Sequence, residues 1–154
     1  MRYANDIVKL NKFGFSINSL RLKNKHFIPE NLDEYSIFGE KVYSPCSGEV
    51  YHVDDGYKDM PASTKKHYSD TGNGIVIKHN NIYVMMWHLK QNSITVKVGE
   101  QVKEGQLIGQ VGNSGHSSTP HLHIQASKED WLHGTSVPIL FDRKFPVRHS
   151  IYIR

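Results

Sequence analysis

Short apolar runs separated by turn residues set the pattern of this chain. "EVYHV", "GIVIKH", "IYVMMWHL", "ITVKV", "QLIGQV" and "HLHIQAS" alternate with "NKFGF", "SPCSGEV", "DDGY", "DTGNG", "KHNN", "KVGE", "KEGQ" and "VGNSG". β-branched and aromatic runs bounded by Gly, Pro, Asn and Asp read as strands joined by tight turns. No stretch keeps a helical period over three turns, and "PENLDEYSIFG" predicts at most one short helical turn. The expected fold class is all-β: an antiparallel sheet or sandwich core with long loops. "VKVGEQVKEGQLIGQVG" reads as strand, Gly turn, short strand, Gly turn, strand. Its glycines stand where a tight turn needs positive φ. Residues 54–72 are polar and rich in breakers, so they are expected to form a long loop between neighbouring strands. The tail "VPILFDRKFPVRHSIYIR" is expected to cross the surface irregularly before a last strand.

The length of 154 residues fits one domain spanning 1–154 around one core, either whole or a piece truncated at its N-terminus. "IYVMMW" is far shorter than the roughly 20 apolar residues needed to span a membrane. "MRYANDIVKL" lacks the apolar stretch of a signal peptide. Cys46 is the only cysteine, which excludes an intrachain disulfide and a thiolate metal cluster. A buried small hydrophobe is its expected role. The net charge of +4 suits an anionic partner such as a cell-wall polymer or nucleic acid, or simply a solvated basic surface. Lys and Arg are scattered without interleaved aromatics, which argues against nucleic acid.

The candidate chemistry lies in "NSGHSSTPHLHIQAS" and "YVMMWHLKQ". On a strand, residues i and i+2 share a face with Cα atoms about 6.6 Å apart. His121 and His123 therefore share one face, and Leu122 and Ile124 take the other. One imidazole can bind a metal through nitrogen at about 2.0–2.1 Å, with the other beside it against a bound water or substrate oxygen. His88 ends an apolar strand and can reach the same pocket from a neighbouring one. Taken alone, a HxH pair is more often a solvated strand face. His26, His52, His67, His79, His116, His133 and His149 read as surface or hydrogen-bonding residues, with His79 at a hairpin turn and His116 at most lining the cleft.

Together the pieces are more specific. "GEKVYSPCSGEV", "GNGIVIKHNNIYVMMWHL" and "VKVGEQVKEGQLIGQVGNSGHSSTPHLHIQ" occur in that order, and roughly residues 38–126 resemble the M23 (LytM/lysostaphin-type) family of zinc metallopeptidases. The resemblance implies an antiparallel β core with a groove over Zn²⁺, held by a His and an Asp from an upstream motif and by the second His of HxH. By position, His123 is a zinc ligand, and His121 and His88 flank the water and the substrate carbonyl. "RYANDIVKLNKFG" is similar to a form of the upstream motif, which makes Asp6 the carboxylate ligand. The tight form has its first His four residues before the Asp. Here that place holds Arg2, whose fixed positive charge repels Zn²⁺. Three outcomes stay open: a lost upstream His, a substitute such as His26, or a degenerate relative that binds cell wall or a protein partner without cutting.

The resemblance further implies hydrolysis of peptide crosslinks in bacterial peptidoglycan, on small glycine- or D-alanine-containing peptides, in a periplasmic or extracellular setting. His121 is expected as general base and His88 as oxyanion stabiliser, although sequence does not separate the two roles. A biotinyl- or lipoyl-type carrier would share the Gly-punctuated strands. It would need a lysine on the following hairpin tip, where "GNSGHSSTPHLH" stands instead.

Overall fold

A computed structural model of the chain describes residues 3–18, 29–63, 71–141 and 143–146. Among the described residues there are nine strands in chain order: β1 (Asn5–Ile7), β2 (Lys41–Tyr43), β3 (Gly48–Asp54), β4 (Asn73–His79), β5 (Ile82–Leu89), β6 (Gln101–Val102), β7 (Leu107–Gln110), β8 (Leu122–Lys128) and β9 (Thr135–Val137). "PENLDEYSIFG" supplies only a 3-10 turn at Leu32–Glu34, capped by the Asn31 side chain. The fold is β-rich and antiparallel, as the strand and turn pattern requires.

Seven strands form one sheet in the order β1-β8-β5-β4-β3-β6, with β9 also paired to β8. β2 and β7 pair separately. Strand alternation gives the large sheet two different faces. Ile75, Ile77, Met86 and Ile124 point into the main core, where they meet Val42, Val50, Val96, Val102 and Ile108. Val76, Tyr83, Met85 and Trp87 make a second apolar cluster, against which Trp131 packs. The central strand β4 is buried on both faces: Ile75, Val76 and Ile77 are each 0% exposed. Each such side chain contributes roughly 1.5–3 kcal/mol on burial, so β4 anchors the sheet.

The β4–β5 hairpin turns at Asn80–Asn81, with His79 opposite Ile82 and Asn80 at a φ of 54°. Asn tolerates that left-handed backbone. The segment expected as a loop over 54–72 links adjacent antiparallel strands, but Asp54 still belongs to β3. The described start of this loop packs on the segment before β8: Met60 N–H donates to Asn113 O at 3.1 Å, and Ser63 N–H to Ser118 O at 2.7 Å.

Two expectations need correction. "ITVKV" is not a strand. Thr95 touches β7 through one backbone bond, to Ile108 O, and through its hydroxyl to Leu107 O, so a side chain competes with a continuing ladder. Cys46 is half-buried rather than fully buried and packs against the main core. Burial first, and Glu104 second, push its thiol pKa up. The last strand expected in the tail falls on residues 147–154, outside the described residues.

Candidate active site

The β1–β8 register sets the centre of the site. Asp6 is the direct cross-strand partner of His123, so the two side chains leave the sheet on one face. Asp6 Oδ1 lies 2.9 Å from His123 Nδ1 and 3.5 Å from His121 Nε2. His121 sits just ahead of β8 and on the same side as His123, while Leu122 and Ile124 turn to the main core.

His88 reaches the same point by a break in strand alternation. Trp87 belongs to the second apolar cluster, yet Leu89, two residues on, lies in the main core. Regular alternation would keep both on one face. The switch occurs at His88, whose φ is 64°, and a register shift lies opposite between Asn73 and Gly74. The left-handed residue carries the imidazole toward the other histidines. Ring centroids are 4.8 Å apart for His88 and His121, and 5.8 Å for His88 and His123. Ligating nitrogens of all three lie within 4.8 Å of one another.

Each ring is held from behind. His88 Nδ1–H donates to Ser114 O at 2.9 Å. His121 Nδ1–H donates to Thr119 O at 2.8 Å, and Ser117 Oγ stands 3.2 Å from the same nitrogen. His123 Nε2 faces Gln125 Oε1 at 3.3 Å. These contacts leave Nε2 of His121 and Nδ1 of His123 toward Asp6. Burial, then the charge of His121, pushes the His88 pKa down to about 4, although the Ser114 carbonyl opposes the shift. At neutral pH His88 is therefore uncharged, with its proton on Nδ1 and a lone pair on Nε2.

The seat beneath His88 is a buried polar cluster. Asn73 N–H donates to Ser114 Oγ, and Ser114 Oγ donates to Leu89 O. Asn73 Nδ2 donates to Leu89 O and Tyr57 O, and Asn73 Oδ1 accepts from Tyr57 N–H. Asn73 and Ser114 are both 0% exposed. Gly72 and Gly115 let the two loops meet: a Cβ on Gly72 would lie 2.6 Å from Gly115 N, and one on Gly115 would lie 2.3 Å from Gly72 N.

Asp6 is the open side of the site, with its side chain 63% exposed against 15% for His121 and His123. Among the other histidines, His52 pairs with Asp54 and stacks on Trp131, His79 bonds Ser47 O, and His116 and His133 are exposed. These are the surface and hydrogen-bonding roles expected. His26, His67, His149 and Arg2 lie outside the described residues. Asn73, Ser114 and Gln125 were not singled out from the sequence. The paired "GNG" and "GNSG" turns were the available signal for the first two, because close loop contact needs glycine on both sides.

The donor set fits zinc, which takes imidazole nitrogen and carboxylate oxygen at about 2.0–2.2 Å. Asp6 Oδ1 and His123 Nδ1, 2.9 Å apart, supply two of the three protein donors that a catalytic zinc takes. The outer nitrogens of His121 and His123 meet Thr119 O and Gln125 Oε1, and the inner ones face the Asp6 carboxylate. That convergence repels unless a proton or a metal cation lies within it.

Comparison with known proteins shows the family. The family model for peptidase family M23 matches residues 33–137, a span that leaves out Asp6. Lysostaphin from Staphylococcus staphylolyticus is 37% identical over 125 residues, 81% of this chain and 24% of that protein. Peptidoglycan DD-endopeptidase ShyA from Vibrio cholerae is 34% identical over 112 residues, 73% of this chain and 23% of that protein. The crystal structure of a zinc-containing peptidase from Vibrio cholerae aligns with a TM-score of 0.50 at 30% identity, covering 67% of this chain and 26% of that one. The chain thus spans about a quarter of the length of these relatives.

Proposed function

The chain belongs to peptidase family M23, and from that premise we propose that it is a zinc-dependent metalloendopeptidase that hydrolyses peptide crosslinks of bacterial peptidoglycan. The observation that carries the reading is the cross-strand meeting of Asp6 and His123 beside the rings of His121 and His88. Relatives named for glycyl-glycine and peptidoglycan DD-endopeptidase activity support the substrate class. The basic balance of the chain suits an anionic wall.

Asp6 Oδ1 and His123 Nδ1 would hold the ion. When bound, zinc lowers the pKa of its water and polarises the scissile carbonyl. The two other rings then divide the proton work. His88 and His121 both donate Nδ1–H to a backbone carbonyl, of Ser114 and Thr119, so each turns Nε2 to the site. One of the two would take the proton of the attacking water and the other would donate to the developing oxyanion, and the backbone contacts serve either assignment. Both backbone carbonyls behind the rings fix their orientation, so neither role needs a side chain to move.

The test is release of crosslink peptides from purified peptidoglycan by the zinc-loaded protein. His121→Ala and His88→Asn should each retain zinc and lose about 10²–10⁴-fold in rate. Parent-level hydrolysis by either variant would overturn that residue's role, and none by the zinc-loaded parent would overturn the enzyme. A second reading rests on Arg2, which stands where the tight motif has its first His: a module that binds wall or a partner without cutting. Absence of tightly held zinc in the purified parent is the result that favours it.

A further inference from the structure

Resting on the zinc-site reading above, we propose that Gln125 is a positioning residue that selects which nitrogen of His123 faces the metal. β8 alternation places Gln125 two residues along the same face as His123, and its Oε1 lies 3.3 Å from His123 Nε2. A side-chain amide can present either oxygen or nitrogen to a neighbour, so by itself it selects nothing. Here its orientation is fixed from the next strand. Met85 is the direct cross-strand partner of Gln125, and Gln125 Nε2 donates to Met85 Sδ at 3.4 Å. Met85 is 1% exposed, so the sulfur is held in place by the second apolar cluster.

With its amide nitrogen spent on sulfur, Gln125 turns its oxygen to His123. An acceptor there keeps a proton on Nε2 and leaves Nδ1 to bind metal, aimed at Asp6 2.9 Å away. The reverse amide would put N–H against Nε2, demand a lone pair there, and move the ring proton to Nδ1, where it competes with the ion. The chain Met85–Gln125–His123–Asp6 thus runs across β5, β8 and β1 and ends on the metal position. Gln125 touches neither substrate nor ion in this assignment.

The experiment compares the parent with Gln125→Leu and Gln125→Glu. Zinc affinity is read by competition with a chromophoric chelator, and ligand geometry by the visible spectrum of the cobalt(II)-loaded protein. Loss of the acceptor in Gln125→Leu should weaken zinc binding about 10–100-fold and alter the cobalt spectrum. Gln125→Glu restores an acceptor and should bind zinc as tightly as the parent or more tightly. Melting of the metal-free proteins separates this from a folding defect: Gln125→Leu should melt like the parent, and a merely structural role would lower its melting point without rescue by Glu. Equal zinc affinity for parent and Gln125→Leu overturns this inference alone. A parent that holds no zinc overturns the zinc-site reading and this inference with it.

Discussion

Replacing His88 by Asn isolates an acid sensitivity that burial builds into the site. Asn keeps a donor near the place of Nδ1, facing Ser114 O, and tolerates the φ of 64° that His88 adopts, so the variant is expected to fold. It deletes one ionisation. In the folded chain the His88 pKa is held at about 4, against an ordinary 6.5, first by burial and then by His121. As the pH falls, the unfolded chain takes up this proton first. The stability tied to neutral His88 is therefore intact above about pH 6.5 and is lost as the pH drops toward 4. Those two values correspond to a loss of about 2 kcal/mol between pH 7 and pH 5, and about 3 kcal/mol by pH 4. Urea unfolding of the zinc-free protein at pH 7, 6 and 5 reads the effect. Groups away from the site titrate alike in parent and variant, so the difference between them reports His88 and its coupling to His121 and His123. The parent should lose about 2 kcal/mol more than His88→Asn over that range, a shift of about 1 M urea in midpoint. Equal losses would refute the claim that burial keeps this ring neutral.

Gly74→Ala should be costly, because its Cβ would sit 1.8 Å from Trp87 Cε3 and 2.8 Å from the Met86 carbonyl. Overpacking of about 1–3 kcal/mol should lower the melting temperature by about 3–10 °C and shift Trp fluorescence, and an unchanged melt would contradict the packing described. Asn73→Ala strips the bonds that tie Tyr57 to the end of β5, at about 1–3 kcal/mol, and amide exchange at Tyr57 should accelerate. Exchange at Tyr57 as slow as in the parent would show that Asn73 does not hold this loop.

The strands were legible where a short, β-branched or aromatic apolar run stands between turn residues. β4, β5 and β8 fall on the runs "GIVIKH", "IYVMMWHL" and "HLHIQAS", because each buries apolar side chains that have no other low-energy place. "ITVKV" has the same composition but lies outside any ladder, and composition does not encode which neighbour is free to pair. At the site, His121 and His123 sharing a face followed from period 2 alone. Asp6 was reached only through the family resemblance, since 117 residues separate it from His123 and only the β1–β8 register joins them. The arrival of His88 was anticipated, but its means was not: a left-handed residue inside a strand pattern leaves no mark in hydrophobic periodicity. Asn73 and Ser114 looked like turn residues, and their burial became visible only once two loops met.

The central claim is that Asp6 and His123 jointly hold one zinc ion. X-ray absorption on the zinc-loaded parent, with metal counted per chain in parent, Asp6→Ala and His123→Ala, tests it directly. The expected result is one ion per chain with nitrogen and oxygen ligands at about 2.0–2.2 Å, lost from both variants. Zinc retained at parent stoichiometry and distances in both variants would contradict the account.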